Sequence, residues 1–322
     1  MITPESPLWI GPFLVLAIAL LVDFLLGEPS PRLHPTVWMG KFIGAVEFRL
    51  KTGKPWVEKL EGTTLALSSI ALFTSPVLFI LPLAHNYLGF LAYTMIAAIL
   101  LKSTFAIKSM EQHAAPIAEA LGQGKVEEAK QLVSRIVRRD TASLSEEQVI
   151  SAAVESVGES TVDGVTSPLF YFSLLGVPAA MAYRVINTLD SMVGYKNPKY
   201  INLGFLSARL DTLANWIPAR LTALLMVLAA WLLGENWRGA LKILKRDREK
   251  TESFNAGWPM STIAGALRIQ LEKPNFYILG DRETPPTAEH ILRALRIMKL
   301  TSYLFVMLVV IPITSLTTTV IG

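Results

Sequence analysis

The sequence predicts an all-α, polytopic integral membrane protein with about five to six membrane segments, and two observations carry that prediction. Only 17% of the 322 residues are charged and 52% are apolar, against roughly 25% charged in an average soluble domain, so much of the surface must meet lipid. The charges are also bunched. No Asp, Glu, Lys or Arg occurs from Gly62 to Leu101, in Gly164–Tyr183, in Leu221–Gly234 or in Leu300–Gly322. A helix of about 20 apolar residues crosses the roughly 30 Å hydrocarbon layer. Only helices and closed barrels satisfy their backbone there, and these runs lack the apolar/polar alternation of barrel strands.

In chain order, the first span is expected at Trp9–Leu26. No Lys or Arg precedes Arg32, so the basic start of a cleaved signal peptide is missing and this stretch should stay as a span. A second span is expected at Thr63–Leu83, a turn at Ala84–His85–Asn86, and a third span at about Leu88–Ile107. Lys108–Asp163 reads as a soluble, helical, charge-rich insert, in which Ser143 and Glu146 have capping-box spacing ahead of the periodic run Val149–Val157. Val165–Ile186 is apolar but broken at Leu175–Gly176–Val177–Pro178. Leu189–Asn215 is polar, Trp216–Gly234 is a span, Glu235–Lys299 is a second charged section, and Thr301–Ile321 is the last span. The domain organisation expected is one membrane-embedded domain over residues 1–322, with polar inserts at about 108–163 and 235–299.

Loop charge orients the chain. Arg32, Lys41, Arg49, Lys51, Lys54 and Lys59 follow span one, and Lys108, Lys125, Lys130, Arg135, Arg138 and Arg139 follow span three, which places both loops in the cytoplasm. If Val165–Ile186 crosses, Leu189–Asn215 falls outside and Glu235–Lys299 inside. If it re-enters, Leu189–Asn215 stays cytoplasmic and Glu235–Lys299 falls outside, unless another buried segment such as Ala256–Leu271 restores the count. The net charge of +4 fits loops facing anionic lipid, and no basic cluster interleaved with aromatics points to nucleic acid. Without Cys, disulfides, thiolate metal sites and cysteine nucleophiles are excluded. Walker and Rossmann glycine loops are absent, and four His without H-E-x-x-H argue against a zinc protease.

Five constellations could carry chemistry. Glu28 and His34 lie beyond Asp23 in a Pro- and Gly-rich turn, which reads either as a Mg²⁺ or substrate site or as a capped helix end. Glu155, Glu159 and Asp163 are spaced by four, which puts three carboxylates on one face if the helix persists. Like charges so spaced repel, and an all-oxygen set suits Mg²⁺; the plainer alternative is a solvated acidic face. Arg184, Asn187 and Ser191 share a face beside Asp190, where an Arg can clamp a carboxylate or phosphate or reach up to lipid headgroups. Arg209, Asp211, Asn215 and Arg220 flank a span, where ionisable groups point to function unless Arg209 merely pairs with Asp211. Asn255–Leu267 is rich in small residues, which suits close helix packing or a backbone that approaches a ligand.

These stretches, in order across nearly the whole chain, resemble the adenosylcobinamide-phosphate synthase family of cobalamin biosynthesis. The matching strings are Asp23–Gly40, Arg138–Phe172, Tyr183–Tyr195, Ala208–Leu221 and Asn255–Leu267. Three positions depart from the family pattern: Ser160 in place of Asn, Phe254 in place of Pro, and Thr251 in place of a His common in bacterial members. The resemblance implies a membrane enzyme that joins a propionate carboxylate of adenosylcobyric acid to aminopropanol phosphate (or aminopropanol), with ATP as co-substrate and Mg²⁺ as cofactor. In that scheme Glu155, Glu159 and Asp163 are candidate metal ligands. Arg184, Arg209 and Arg220 hold phosphates or the propionate, with Glu28, His34, Asn187, Asn215 and Asn255 as further binding residues, and Asp190 or Asp211 accepts the proton of the attacking ammonium. The implied setting is the cytoplasmic membrane of a prokaryote. The implied partners are the corrinoid, the amino-alcohol phosphate and the bilayer, and association with further cobalamin-assembly membrane enzymes or further copies is compatible with it.

A transporter or a regulatory membrane protein of related sequence is the competing reading; clear inverted repeats, the mark of many transporters, are not found. Chemistry driven by cytoplasmic ATP requires the polar segment near Lys196–Asn202 to face the cytoplasm. Accessibility tags placed there should react from the inside, and strictly external labelling would overturn a single cytoplasmic site.

Overall fold

The long charge-free stretches fold as helices, because a backbone in lipid must satisfy its polar groups within one segment. The computed structural model describes residues 10–30, 32–50 and 53–321; the expected start at Trp9, and Pro31 and Lys51, lie outside the described residues. In order, the helices are α1 (Gly11–Leu26), α2 (Pro35–Glu47), α3 (Pro55–Leu83), α4 (Gly89–Lys102), α5 (Ile107–Gly122), α6 (Val126–Val133), α7 (Glu146–Thr161), α8 (Ser167–Val193), α9 (Phe205–Ala214), α10 (Trp216–Leu232), α11 (Trp237–Asp247) and α12 (Gly257–Leu267). Strands β1 (Leu271–Lys273) and β2 (Tyr277–Leu279) follow, then α13 (Ala288–Phe305) and α14 (Ile311–Ile321). Wider π turns occupy Ala84–Leu88, Val162–Thr166 and Val306–Val310.

The expected turn after Leu83 is thus a π turn that leads directly into α4. Three helical runs, Pro55–Gly122, Glu146–Val193 and Ala288–Val320, are long and apolar enough to cross a membrane. A fourth qualifies if α9 and α10 count as one, and α1 is a shorter apolar helix. A helical membrane protein is therefore the architecture these residues favour, with fewer separate long runs than the five to six segments expected.

Pro at the first position starts α2 and α3, where its missing N–H costs nothing. The capping box of α7 is built by Ser145 and Gln148, two residues beyond the expected Ser143–Glu146 pair. α8 carries its break where expected: Leu175 (φ −139°, ψ 19°) and Gly176 (φ 75°, ψ −164°) leave helical geometry. Gly176 supplies a positive φ that a Cβ would oppose, and Pro178 has no N–H to give the preceding turn.

The chain folds as two compact units. One comprises Met1–Ala106, Ser167–Ala214 and Leu308–Gly322, the other Ile107–Thr166 and Asn215–Met307. In the first, α1 packs on α4, and α8 packs on α2, α3 and α9, around Leu65, Ala97, Leu101, Tyr183 and Leu189. In the second, α13 packs on α5, α7 and α10, and α11 packs on α12, around Ile150, Val154, Met226, Ile263 and Ile297.

The expectation of a solvated insert at 108–163 is corrected here. Every residue of α7 from Val149 to Gly158 is buried, since α13, α12, α5 and β1 surround that helix. The all-α expectation also misses the two-stranded antiparallel hairpin, which pairs Leu271 with Leu279 and Lys273 with Tyr277. Its turn places Asn275 at φ 65°, a conformation Asn tolerates better than most residues.

The hairpin is locked to α11 by Asp247, whose side chain is fully buried. Arg246 donates to both carboxylate oxygens, at 2.7 and 2.8 Å; Lys250 approaches one at 2.6 Å, and the Gly280 N–H donates to the other at 2.8 Å. Burial alone would raise the Asp247 pKa. The hydrogen bonds from Arg246, Lys250 and Gly280, with the Lys250 charge, outweigh it and hold the carboxyl at about 2 instead of 3.8. A depressed carboxyl stabilises the fold above its unfolded pKa, so this contribution, about 2 kcal/mol, should be complete above about pH 4 and fade as pH falls toward 2. Asp247→Asn should flatten that acid limb in thermal melts of the detergent-solubilised chain; an unchanged limb would show that Asp247 is not the group responsible.

Candidate functional site

The acidic turn after α1 is organised around a lysine. Lys102 ends α4 and is 2% exposed. Its Nζ lies 3.1 Å from Asp23 Oδ1 and 2.9 Å from Glu28 Oε1, and donates to the Phe105 carbonyl at 3.1 Å. The second Glu28 oxygen lies 2.7 Å from His34 Nε2. His34 is the N-cap of α2, its Nδ1 accepting the Thr36 N–H at 3.2 Å. A ring nitrogen that accepts from an N–H is unprotonated, so Nε2 carries the proton and donates it to Glu28. Burial pushes the Glu28 carboxyl up, but the His34 hydrogen bond and the charge and hydrogen bond of Lys102 prevail and hold it below the usual range. Of the two readings of this turn, the capped helix end is the one these contacts express. The positive charge beside Asp23 and Glu28 is an ammonium of the chain itself.

The same unit brings together parts of two other motifs. Arg184 Nη1 donates to Asn187 Oδ1 at 3.4 Å, and Asn187 Nδ2 donates to Asp211 Oδ1 at 3.2 Å. The Arg184 Nε lies 3.5 Å from Thr36 Oγ1, at the edge of hydrogen-bond reach. The helix spacing of Arg184 and Asn187 in α8 and the docking of α9 on α8 thus assemble a guanidinium, an amide and a carboxylate. Tyr171 stacks on Tyr183 at 5.4 Å and donates its hydroxyl to the Ala214 carbonyl at 3.0 Å, which ties the end of α9 to α8. Asp190 is placed differently. Its carboxylate lies so close to Gly194 that a Cβ there would meet Oδ1 at 2.0 Å. Arg209 is exposed and stacks on Phe205 at 4.1 Å, so the Arg209–Asp211 pairing gives way to an Asn187–Asp211 one. Residues two apart on a helix do not face each other.

In the other unit Glu155 is 4% exposed, and both its oxygens are engaged. Ser151 Oγ donates to Oε1 at 2.7 Å; Arg139 Nη2 and the Tyr277 hydroxyl donate to Oε2 at 2.7 and 2.8 Å. The Glu272 N–H donates to Ser151 Oγ at 2.7 Å, so this cluster also fastens β1 to α7. Burial pushes the Tyr277 phenol up, and the charge of Glu155, its hydrogen bond and the charge of Glu159 push it further. Glu159 is exposed and Asp163 half-buried. Asp163 falls in the π turn Val162–Thr166, past the end of the α-helical register on which one-face spacing depends. No group of three His, Asp or Glu among the described residues is arranged to hold a metal ion. Glu159 and Asp163 are carboxylates of the type that Mg²⁺ commonly takes one or two of, together with substrate phosphates.

Arg220, in α10, sits in an aromatic box. Its guanidinium lies 4.4 Å from the Trp216 ring centroid, 4.6 Å from Trp258 and 5.2 Å from Phe254, and donates to Asn255 Oδ1 at 3.1 Å. Phe254, one of the three departures from the family pattern, therefore has a definite contact. Arg248 lies 4.9 Å from the Trp258 ring. Cation–π contacts hold a guanidinium without neutralising it, which leaves its charge to act on an anion. Asn215 is buried at the N-cap of α10, and no side-chain cap bond forms there. Sequence reasoning missed Lys102, Arg139, Ser151, Tyr277 and Arg248. Lys102 had a signal, as the first charge after forty residues without one; the others meet their partners only through tertiary packing.

Comparison with known proteins places these features in context. A family model described as CobD/Cbib protein matches residues 16–298. A curated archaeal relative from Methanothermobacter thermautotrophicus, named Probable cobalamin biosynthesis protein CobD, is 44% identical over 292 residues, covering 90% of this chain and 94% of the relative. Proteins named Cobalamin biosynthesis protein CobD are 40% identical in Dehalococcoides mccartyi, over 84% of this chain and 88% of the relative, and 38% identical in Yersinia enterocolitica, over 90% and 94%. No solved structure matches significantly.

Removing Lys102 would leave Asp23 and Glu28 as buried charges without their cation. Lys102→Met should cost about 3–5 kcal/mol, and His34→Ala, which removes a helix cap, about 1 kcal/mol. Adding Glu28→Gln to Lys102→Met should recover part of the loss. Melting temperatures of the three variants test the order, and a Lys102→Met protein as stable as wild type would rule out the pairing role.

Proposed function

Since the chain belongs to the CobD/CbiB family, a family of cobalamin biosynthesis proteins, we propose that its biosynthetic role is that of an amide ligase. It would join a propionate carboxylate of adenosylcobyric acid to aminopropanol phosphate, or to aminopropanol, at the expense of ATP and with Mg²⁺. The observation that carries this reading furthest is the half-buried Arg184–Asn187–Asp211 chain. It sets a planar cation suited to carboxylate or phosphate beside a carboxylate able to take a proton.

Amide formation from a carboxylate and an ammonium is uphill in water, so the carboxylate needs activation. In the proposed sequence a carboxylate oxygen attacks the γ-phosphorus of ATP, the bond to the bridging oxygen breaks, and ADP leaves with its electron pair. Asp211 takes a proton from the ammonium, the freed amine nitrogen attacks the acyl carbon, and the phosphate departs with the second nitrogen proton. Arg184 orients the carboxylate or the phosphoryl group as charge shifts between them. In the other unit, Arg220 is held by aromatic rings that leave its positive charge able to meet phosphate oxygens. Mg²⁺, when bound, would neutralise phosphoryl charge; Glu159 and Asp163, in the other unit, are the carboxylates proposed to hold it on the protein side. Glu155, tied to Arg139, Ser151 and Tyr277, supports the helix that carries them. Asp190, folded against Gly194, is assigned no proton transfer.

The test is product analysis by mass spectrometry with the purified full chain, adenosylcobyric acid, ATP, Mg²⁺ and each candidate amine. One amine should give the corrinoid amide with one ADP and one phosphate per turnover. Arg184→Lys, which keeps charge but loses the planar fork, should lower kcat/KM by about 100-fold, or about 3 kcal/mol, with its melting temperature unchanged. Uptake of unchanged corrinoid into sealed vesicles, with no product from any amine, would replace the ligase by a transporter, a reading the broken helix at Leu175–Gly176 also accommodates.

A further inference from the structure

A second concentration of positive charge lies at the other end of α10 from Arg220. Beyond Leu232 the chain turns at Gly234 and enters α11, and a cavity of about 430 Å³ opens there, within the usual size range of small-ligand pockets. Its walls carry three guanidinium groups, Arg238, Arg268 and Arg293, one carboxylate, Glu235, and the indole of Trp237. Glu235 is committed to Arg293, which donates from Nε at 2.9 Å and from Nη2 to the second oxygen. Arg238 stacks on Trp237 at 5.2 Å. Among the described residues neither Arg238 nor Arg268 has a carboxylate partner, so two positive charges converge on the cavity without compensation.

That convergence is built into the backbone. α11 and α12 cross where Gly239 faces Gly265; a Cβ on Gly265 would meet the Gly239 carbonyl oxygen at 2.4 Å, and one on Gly239 would meet that of Gly265 at 2.7 Å. The close approach brings the first turn of α11, with Arg238, beside the last turn of α12. The Asn236 N–H donates to the Ala266 carbonyl at 3.1 Å. Arg268 caps α12 in the left-handed conformation (φ 60°, ψ 30°), and its carbonyl accepts from both the backbone N–H and the hydroxyl of Thr284. The main chain thus holds the two segments that carry Arg238 and Arg268 beside one cavity. The N-terminus of α11 adds its own positive end to the same place.

We infer that this cavity is a binding site for an organic phosphate, with Arg238 and Arg268 clamping the phosphate oxygens and Trp237 flanking the group attached to them. Paired guanidinium groups match phosphate geometry bidentately. Two sources share that chemistry. Trp231, Leu232 and Leu233, immediately before the cavity, are 57%, 52% and 39% exposed at the end of an apolar helix, where the headgroup of an anionic lipid would lie. A soluble phosphate compound such as a nucleotide could enter the same walls. The site shares no residue with those assigned to the ligase reaction, and its test reads the change in affinity caused by a double variant that leaves those residues in place.

The experiment uses the full chain in detergent with two probes, short-chain phosphatidylglycerol and ATP without other substrates, read by native mass spectrometry and by titration of Trp fluorescence. Arg238→Gln/Arg268→Gln is the test variant, and Lys245→Gln, which removes an exposed charge elsewhere on α11, is the control. The double variant should weaken saturable binding of one probe at least tenfold, with melting temperature and the Lys245→Gln affinity unchanged. Loss of lipid affinity identifies a headgroup site, and loss of ATP affinity a soluble phosphate site. Saturable binding of neither probe, or binding that the double variant leaves intact, overturns the proposal.

Discussion

A carboxylate that leaves water must take a positive charge with it, and this constraint shapes the described residues more than any other single interaction. Asp23 and Glu28 enclose Lys102, Glu155 takes Arg139 with Ser151 and Tyr277, and Asp247 takes Arg246 and Lys250. Desolvating an ion costs several kcal/mol, and attraction offsets that only when every lone pair is also satisfied. The surrounding hydrogen bonds, from His34, Ser151, Tyr277 and the Gly280 N–H, are therefore part of the pairing. Each cluster joins elements far apart in sequence: α1 to α4, α7 to the hairpin, and α11 to the exit of β2.

Arginine divides into two populations on this basis. Arg139, Arg246 and Arg293 are spent on carboxylates of the chain itself. Arg220 is surrounded by Trp216, Phe254 and Trp258, while Arg238 and Arg268 line a cavity with one already committed carboxylate. Aromatic rings and rigid main chain hold these groups in position and leave their charge available. The proposed ligase reaction would have use for cations of the second kind, and they are found on α10, α11 and the end of α12.

Much of the fold was legible because it follows from one-dimensional patterns. Charge-free runs became α3, α4, α10 and α14; the Gly-Val-Pro break in α8 fell where the residue types demanded; and the small residues of α12 did mark close packing, at Gly265. The hairpin was not legible, since strands of three residues carry too few positions for an alternation to register. Nor was the burial of α7. Its Glu-rich ends look solvated, and only the packing of α13, α12 and α5 around its middle excludes water.

The candidate site was legible as residue types and only partly as contacts. Spacing within one helix placed Arg184 beside Asn187, and the same kind of reasoning grouped Glu155, Glu159 and Asp163. It could not see that Arg139 reaches Glu155 from outside the helix, or that a π turn shifts Asp163 out of register. By itself the sequence determined the helical, lipid-suited class, the position of the breaks and the family, because composition, periodicity and strings of motif residues are local properties. Which carboxylates are neutralised within the chain, and which arginines keep their charge for a ligand, was decided by tertiary structure alone. Charge pairing depends on distances of 3 to 4 Å between residues that can be a hundred positions apart, and no local pattern encodes them.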